Sequence, residues 1–390
     1  LPIAPQTYTI PGGAYLPTSV SDFQARVAAG GAADIIIPDV VQTKATGGPL
    51  TAGARHRLWQ QTLLGGTLQY GLFSNFGLEL HGARVKLIDA THVNSTNPAA
   101  VFSNGGLLTI QDCEIDGGRQ GFDSSSDFAN SGCGSPLGTP IWGVWCIQAG
   151  GAIIERSIVK NATSDGIYLP TNGGNVDRIW DCLITDCRRP TQGNSYGTSE
   201  AGLRLYHPQS VTNGVRRLEI RRCGYGIVTV NGGGNTTTFS DIRIDEIRGD
   251  GIYSGGGLNA CNGGTGFYFE RTTTAAILEN FYIGPNVRYG TFAEWDVNVA
   301  GTSGAVNCII RNGTIDNSVH LTTIVPNNLL GTFFDQGCNG NTIQNVKFVR
   351  QTWGCIGFKS AGNSTSGNDY SLSTMDAAHQ VRTGVSYLSP

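Results

Sequence analysis

The chain has 390 residues and a mass of 41.2 kDa, includes 56 glycines, and carries charged residues at 14% with a formal net charge of -3. Its length exceeds the roughly 250–300 residues at which single compact cores stop growing, which indicates two domains or one elongated repeat. With 26 Lys and Arg against 29 Asp and Glu there is no basic field for nucleic acid or anionic lipid, and a hydrophobic content of 39% excludes a disordered chain; nor does any run of about 18 apolar residues offer a membrane span.

Taken in chain order, residues 1–20 read as an N-terminal arm. Because the chain begins at Leu1 and holds its one methionine at Met375, it reads as processed or trimmed. Ser21 and Asp22, followed by Phe23, Ala25 and Val27 and then Gly30-Gly31, predict a short amphipathic helix over 21–30 that caps whatever follows. From there to about 362 one six-residue phrase recurs, with apolar residues at its first and sixth positions and a small or apolar residue at the fourth. Its nine copies are LHGARV from Leu80, IQDCEI from Ile110, IERSIV from Ile154, IWDCLI from Ile179, IRRCGY from Ile220, IRIDEI from Ile242, LENFYI from Leu278, IRNGTI from Ile310 and IQNVKF from Ile343. Starts lie 30, 44, 25, 41, 22, 36, 32 and 33 residues apart, which fits solenoid windings of about 22–25 residues carrying loop insertions.

Between these copies runs a second phrase, glycine followed by apolar-x-apolar. It appears as DGIYL at Asp165, AGLRL at Ala201, YGIVT at Tyr225, DGIYS at Asp250 and TGFYF at Thr265. Alternation sends Ile167, Leu203, Ile227, Ile252 and Phe267 inward, and Tyr168, Arg204, Val228, Tyr253 and Tyr268 outward. Two longer insertions, 117 to 143 and 289 to 305, are expected to wall a groove. After Gly362 the Ser/Asn-rich sequence reads as a tail or cap over 363–390. The fold expected is all-β, a parallel β-helix over 21–362.

Among ten cysteines, Cys113, Cys182 and Cys223 are expected as buried thiols of one ladder, and Cys133, Cys261 and Cys338 as disulfide candidates. The five Asn-x-Ser/Thr sites fit a secreted protein and equally an Asn/Thr-rich composition.

A capping helix, irregular Asn-rich windings and glycine-cornered strands together resemble the pectate-lyase-like right-handed β-helix superfamily over roughly residues 20 to 360. The polygalacturonase Gly-His-Gly and Asp-Asp are absent, and Arg188-Arg189-Pro190 lacks the second half of the pectate lyase phrase. Leu205-Tyr206-His207-Pro208 shares only its last two residues with the C5-epimerase phrase. By elimination the resemblance is to bacteriophage tailspikes. It implies a right-handed helix, a homotrimer, a virion-tail or secreted location, and a bacterial surface polysaccharide as partner.

Glycoside hydrolysis needs two carboxyls about 5–5.5 Å apart for retention or about 6.5–9.5 Å for inversion, and needs no cofactor or metal. Asp165, Glu200 and Asp250 stand beside the glycine corners and are the candidate acids, although Asp-Gly is also an ordinary turn dipeptide. Glu200 leads into Arg204, Tyr206 and His207, types suited to proton transfer and sugar contact. In a lyase or epimerase, Arg204, Tyr206 or His207 would remove the C5 proton of a uronate. Tyr168, Tyr253 and Tyr268 are expected as an aromatic ladder for sugar rings, or as an oligomer contact. Trp295, between Glu294 and Asp296, offers a second platform with its own acid pair.

Overall fold

The computed structural model describes residues 8–42, 49–69, 71–87, 99–118, 142–146, 151–162, 164–169, 178–187, 201–206, 214–230, 236–247, 265–270, 275–284, 287, 289–293, 304–316, 330–335, 337–351, 354–373 and 377–383. They are all-β apart from the helices Val20–Ala28 and Ala377–Gln380. No helix among them is long and apolar enough to cross a membrane. The chain forms two compact units, Leu1–Pro190 and Thr191–Pro390. In both units the described strand pairings are parallel, and each unit contributes strands to a bent sheet and to a straight one.

The first unit opens on the helix. Its cap is Ser19 rather than Ser21: Ser19 Oγ accepts the Asp22 N–H at 3.1 Å, and the Asp22 carboxylate accepts the Thr18 N–H at 2.7 Å. Phe23 and Val27, four residues apart, are the buried stripe. Gly53 lies against the end of the helix, where an added Cβ would stand 2.2 Å from the Ala28 carbonyl, so no side chain fits there.

In the bent sheet, Ile35, Leu58, Leu80, Ile110, Ile154 and Ile179 pair successively in register, and all are fully buried. The phrase therefore places its first residue in one inward column. Its sixth residue builds another, Leu68, Val85, Ile115, Val159 and Ile184. Between the two halves the chain bends at one left-handed residue per winding: Gly82 (φ 65), Asp112 (φ 57), Arg156 (φ 48) and Asp181 (φ 57). A side chain in that region is strained, which favours Gly, Asn and Asp. Arg156 is the exception, and its guanidinium binds the Asp112 carboxylate of the preceding corner at 2.7 and 2.9 Å. The straight sheet buries Leu50, Leu72, Val101, Val144 and Ile167 in register.

In the second unit the bent sheet stacks Val215, Phe239, Leu278, Ile310 and Ile343, and beside them Ile220, Ile244, Ile283, Ile315 and Phe348. Two phrase positions are thereby corrected. Ile220 is a sixth residue, not a first, and Ile242 is a fourth; the windings there read VRRLEI and FSDIRI, bent at Arg217 (φ 50) and Asp241 (φ 57). This explains the misfit of Asp245 in the fourth-position column, which Leu218 and Ile242 occupy instead, both buried. It also separates Cys223 from Cys113 and Cys182. Cys223 follows the next left-handed residue, Arg222, as Cys187 follows Asp186 in the first unit. Cys113, Cys182, Cys187, Cys223, Cys308, Cys338 and Cys355 are buried free thiols; Cys133 and Cys261 lie outside the described residues.

The straight sheet stacks Leu203, Ile227 and Phe267, as alternation predicts. Tyr225–Val230 pairs directly with Thr265–Glu270, and Asp250 and Ile252 lie outside the described residues. Tyr289–Ala293, expected at the start of an insertion, is a strand of this sheet. Pairing also continues past Gly362: Ser364–Ser366, Asp369–Leu372 and Val381–Thr383 all join the sheets, so the repeat reaches residue 383.

Candidate functional site

Of the sequence-predicted residues, Asp165, Tyr168, Arg204, Tyr206 and Tyr268 are described, on or beside the straight sheet, and they are largely covered. Asp165 is 2% exposed and lies just before the strand Ile167–Leu169. The place matching Asp165 in the next copy of the phrase is Ala201. Glu200, His207, Asp250, Tyr253 and Trp295 lie outside the described residues.

Tyr168 is half-buried on the outer face, paired with Trp145. In the second unit Arg204 pairs with Val228 and Val228 with Tyr268, while Tyr206 pairs with Val230. The structure thus brings Arg204, Tyr206 and Tyr268 onto one face, but Arg204 is 3% and Tyr268 1% exposed. Val228, Val230 and Phe333 on the same face are buried, and Tyr225 stacks on Tyr268 at 5.8 Å. An open aromatic shelf at Tyr268 is therefore corrected to a second apolar layer, because its neighbours are aliphatic or aromatic rather than polar. Arg204 is likewise buried.

The outer face of the bent sheet is different, with charged and aromatic side chains standing in columns. In the first unit Trp59 stacks on His81 with centroids 3.9 Å apart, and its Nε1 donates to Asp34 at 2.8 Å. Glu155 binds Arg178 and accepts from Gln111 at 2.7 Å. Burial opposes its ionisation, but those bonds and the charge of Arg156 outweigh it and hold Glu155 below the usual carboxylate range.

In the second unit one outer column reads Glu219, Arg243, Tyr282, Thr314, Lys347 and Asp369. Beside it, one residue beyond the paired Ile244, Ile283 and Ile315, stand Asp245, Gly284 and Asp316. Gly284 (φ 132) has no room for a side chain, since a Cβ would lie 2.0 Å from the Asp316 carbonyl. The two aspartates are thus separated by one side-chain-free rung. Tyr282 donates its hydroxyl to Asp316 Oδ2 at 3.2 Å, and Arg350 Nη2 donates to the same oxygen at 2.9 Å. Arg243 lies over the Tyr282 ring at 5.6 Å. Burial, and then the neighbouring charge of Glu246, push the Asp245 carboxyl above its usual range. Burial raises the Tyr282 phenol too, followed by the charge of Asp316 and the hydrogen bond to it.

Sequence reasoning missed this group because its phrases were out of register there. Aligning Arg243-Ile244-Asp245, Tyr282-Ile283-Gly284 and Thr314-Ile315-Asp316 on their central isoleucines would have found it. Among the described residues, no three His, Cys, Asp or Glu side chains are grouped to hold a metal ion.

What the fold and these columns define is an all-β protein of long parallel sheets with a charged, aromatic outer face. No protein-family model, no curated protein and no solved structure matches the chain.

Proposed function

We propose that the chain is a right-handed parallel β-helix, tailspike-like, that binds a bacterial surface polysaccharide and cleaves it by glycoside hydrolysis between carboxyls on its flank. The observation that carries this reading is the register of the outer columns: Glu219, Arg243, Tyr282, Thr314, Lys347 and Asp369 form a continuous track of hydrogen-bonding and stacking groups. At about 4.8 Å per strand it spans about 24 Å, the form of site a linear polymer fits. The near-neutral balance of 26 basic and 29 acidic residues favours a glycan over a nucleic acid. The homotrimer and the virion-tail or secreted location belong to the same proposal, and light scattering showing a monomer would count against the tailspike part.

One observation favours a binding-only adhesin: Glu155, Glu114, Glu279 and Asp316 are each held by Arg or Lys. A panel of purified capsular and O-antigen polysaccharides separates the readings. Hydrolysis yields new reducing ends without absorbance near 235 nm, whereas a lyase yields both. Binding without any product leaves the adhesin.

A further inference from the structure

We infer that His56 is a pH-sensitive latch on the N-terminal cap, and that protonation of its ring releases the helix Val20–Ala28 from the strands it covers. The last carbonyls of a helix have no partner within it and must find donors elsewhere. Here the donors come from the segment between the strands Leu50–Ala52 and Arg57–Gln60. The Gly53 N–H donates to the Val27 carbonyl at 2.9 Å, and the His56 ring donates to the Ala29 carbonyl, with Nε2 3.1 Å from the oxygen. A carbonyl only accepts, so Nε2 carries the ring proton and Nδ1 is the bare acceptor. Nδ1 has no hydrogen-bond partner, and His56 is 0% exposed.

A second ring proton has to sit on that nitrogen. Facing the ring are the carbonyls of Val27, Ala29 and Ala33 and the guanidinium of Arg26. Each carbonyl already accepts a hydrogen bond: Val27 from Gly53, Ala29 from Nε2 itself, and Ala33 from the Arg57 N–H at 3.0 Å. Arg26 is a cation whose Nε is also buried without a partner. The carboxylates of the surrounding elements are engaged elsewhere, Asp22 with Tyr15 and Thr18, Asp34 with Arg57 and Trp59, and Glu79 with Arg55. A helix C-terminus favours a cation that solvent reaches. A buried imidazolium beside Arg26, with one N–H unpaired, is instead unfavourable. Burial accordingly holds the ring below the usual histidine range, against the pull of the Ala29 and Val27 carbonyls, and the charge of Arg26 acts with burial. The docked ring therefore binds a proton more weakly than a released one. Docking is at full strength above the ordinary histidine value of about 6.5 and weakens as pH falls below it. Asp22 lies outside this window, because the Thr18 N–H holds its carboxyl below the usual range. Release uncovers Phe23 and Val27 and the strands Asp34–Ile37 and Leu50–Ala52 on which the helix packs.

The test is amide hydrogen exchange of the full chain, read by mass spectrometry at about pH 7.5 and about pH 5 and corrected for the intrinsic effect of pH on exchange. Protection of the helix Val20–Ala28 is expected to fall roughly tenfold or more in the wild type, while that of the strand Ile309–Asp316 holds. His56→Gln keeps an amide N–H for the Ala29 carbonyl but takes up no proton, and should protect the helix equally at both pH values. Unchanged helix protection in the wild type, or an equal fall in His56→Gln, overturns the latch. If His56→Gln does not fold, the wild type decides alone. Exchange of the His56 Cε1 hydrogen in deuterium oxide reports that ring's own titration, which should coincide with the loss of helix protection. A ring that titrates while the helix stays protected overturns the inference.

Discussion

Replacing Ile154 by alanine opens one rung of the innermost column in the first unit, and the same replacement at Ile153, its neighbour, does not. Ile154 is fully buried between Ile110 and Ile179, whereas Ile153 points outward between Thr109 and Arg178 and is half-buried. Both changes remove the same three carbons from the same strand, so strand propensity cancels in the comparison. At about 0.8 kcal/mol per buried methylene the transfer loss at Ile154 is about 2.4 kcal/mol. The cavity left between two isoleucines that the sheet holds in place brings the total to about 3–4 kcal/mol. At Ile153 the loss should stay below about 1 kcal/mol. Urea unfolding followed by far-ultraviolet circular dichroism reads the two midpoints directly. A slip of one residue would exchange the faces, so equal losses, or a larger one at Ile153, would refute the inward assignment.

The corner ladder gives a second contrast: Asn345→Gly should be neutral or slightly stabilising, while Asn345→Val should cost more than about 1 kcal/mol, because φ is 53 there, and thermal melts distinguish them. Stability should also fall in acid. Glu155, Glu114 and Glu79 are all depressed in the folded chain, so they bind protons more weakly than when unfolded; their contribution is full above the unfolded glutamate range and is lost as pH falls through their folded range. Melts at a series of pH values should show a shallower acid slope for Glu155→Gln than for wild type, and identical slopes would contradict the assignment. Finally, burial pushes the thiols of Cys113, Cys182, Cys308 and Cys338 up to about 12. Iodoacetamide at pH 8 should leave all four unlabelled in the native chain and label them in denaturant, as peptide mass spectrometry would report.

The inward columns were legible because burial leaves a strong periodic trace: Leu80, Ile110, Ile154 and Ile179 recur with the same companions, and the structure stacks them. Legibility failed in the winding that starts at Val215. Arg222 is also left-handed and is followed by a cysteine, as Asp112 and Asp181 are, so IRRCGY imitated the phrase and its start was placed at Ile220, five residues late. Outward parity was also readable, but exposure was not. Tyr268 and Arg204 point away from the core as predicted, yet whether such a face is open depends on what else lies on it, and Val228 and Phe333 make it apolar. The acids at Asp245 and Asp316 are 71 residues apart in sequence, and only the strand register makes them neighbours across one glycine.

The proposed uptake and shortening of a glycan chain on the registered outer columns is tested most directly by size-exclusion chromatography with light scattering on a capsular or O-antigen polysaccharide incubated with the protein. The polymer's molar mass should fall steeply while total carbohydrate is conserved. A polymer that keeps its mass and elutes apart from the protein, across the whole panel, would contradict both binding and cleavage.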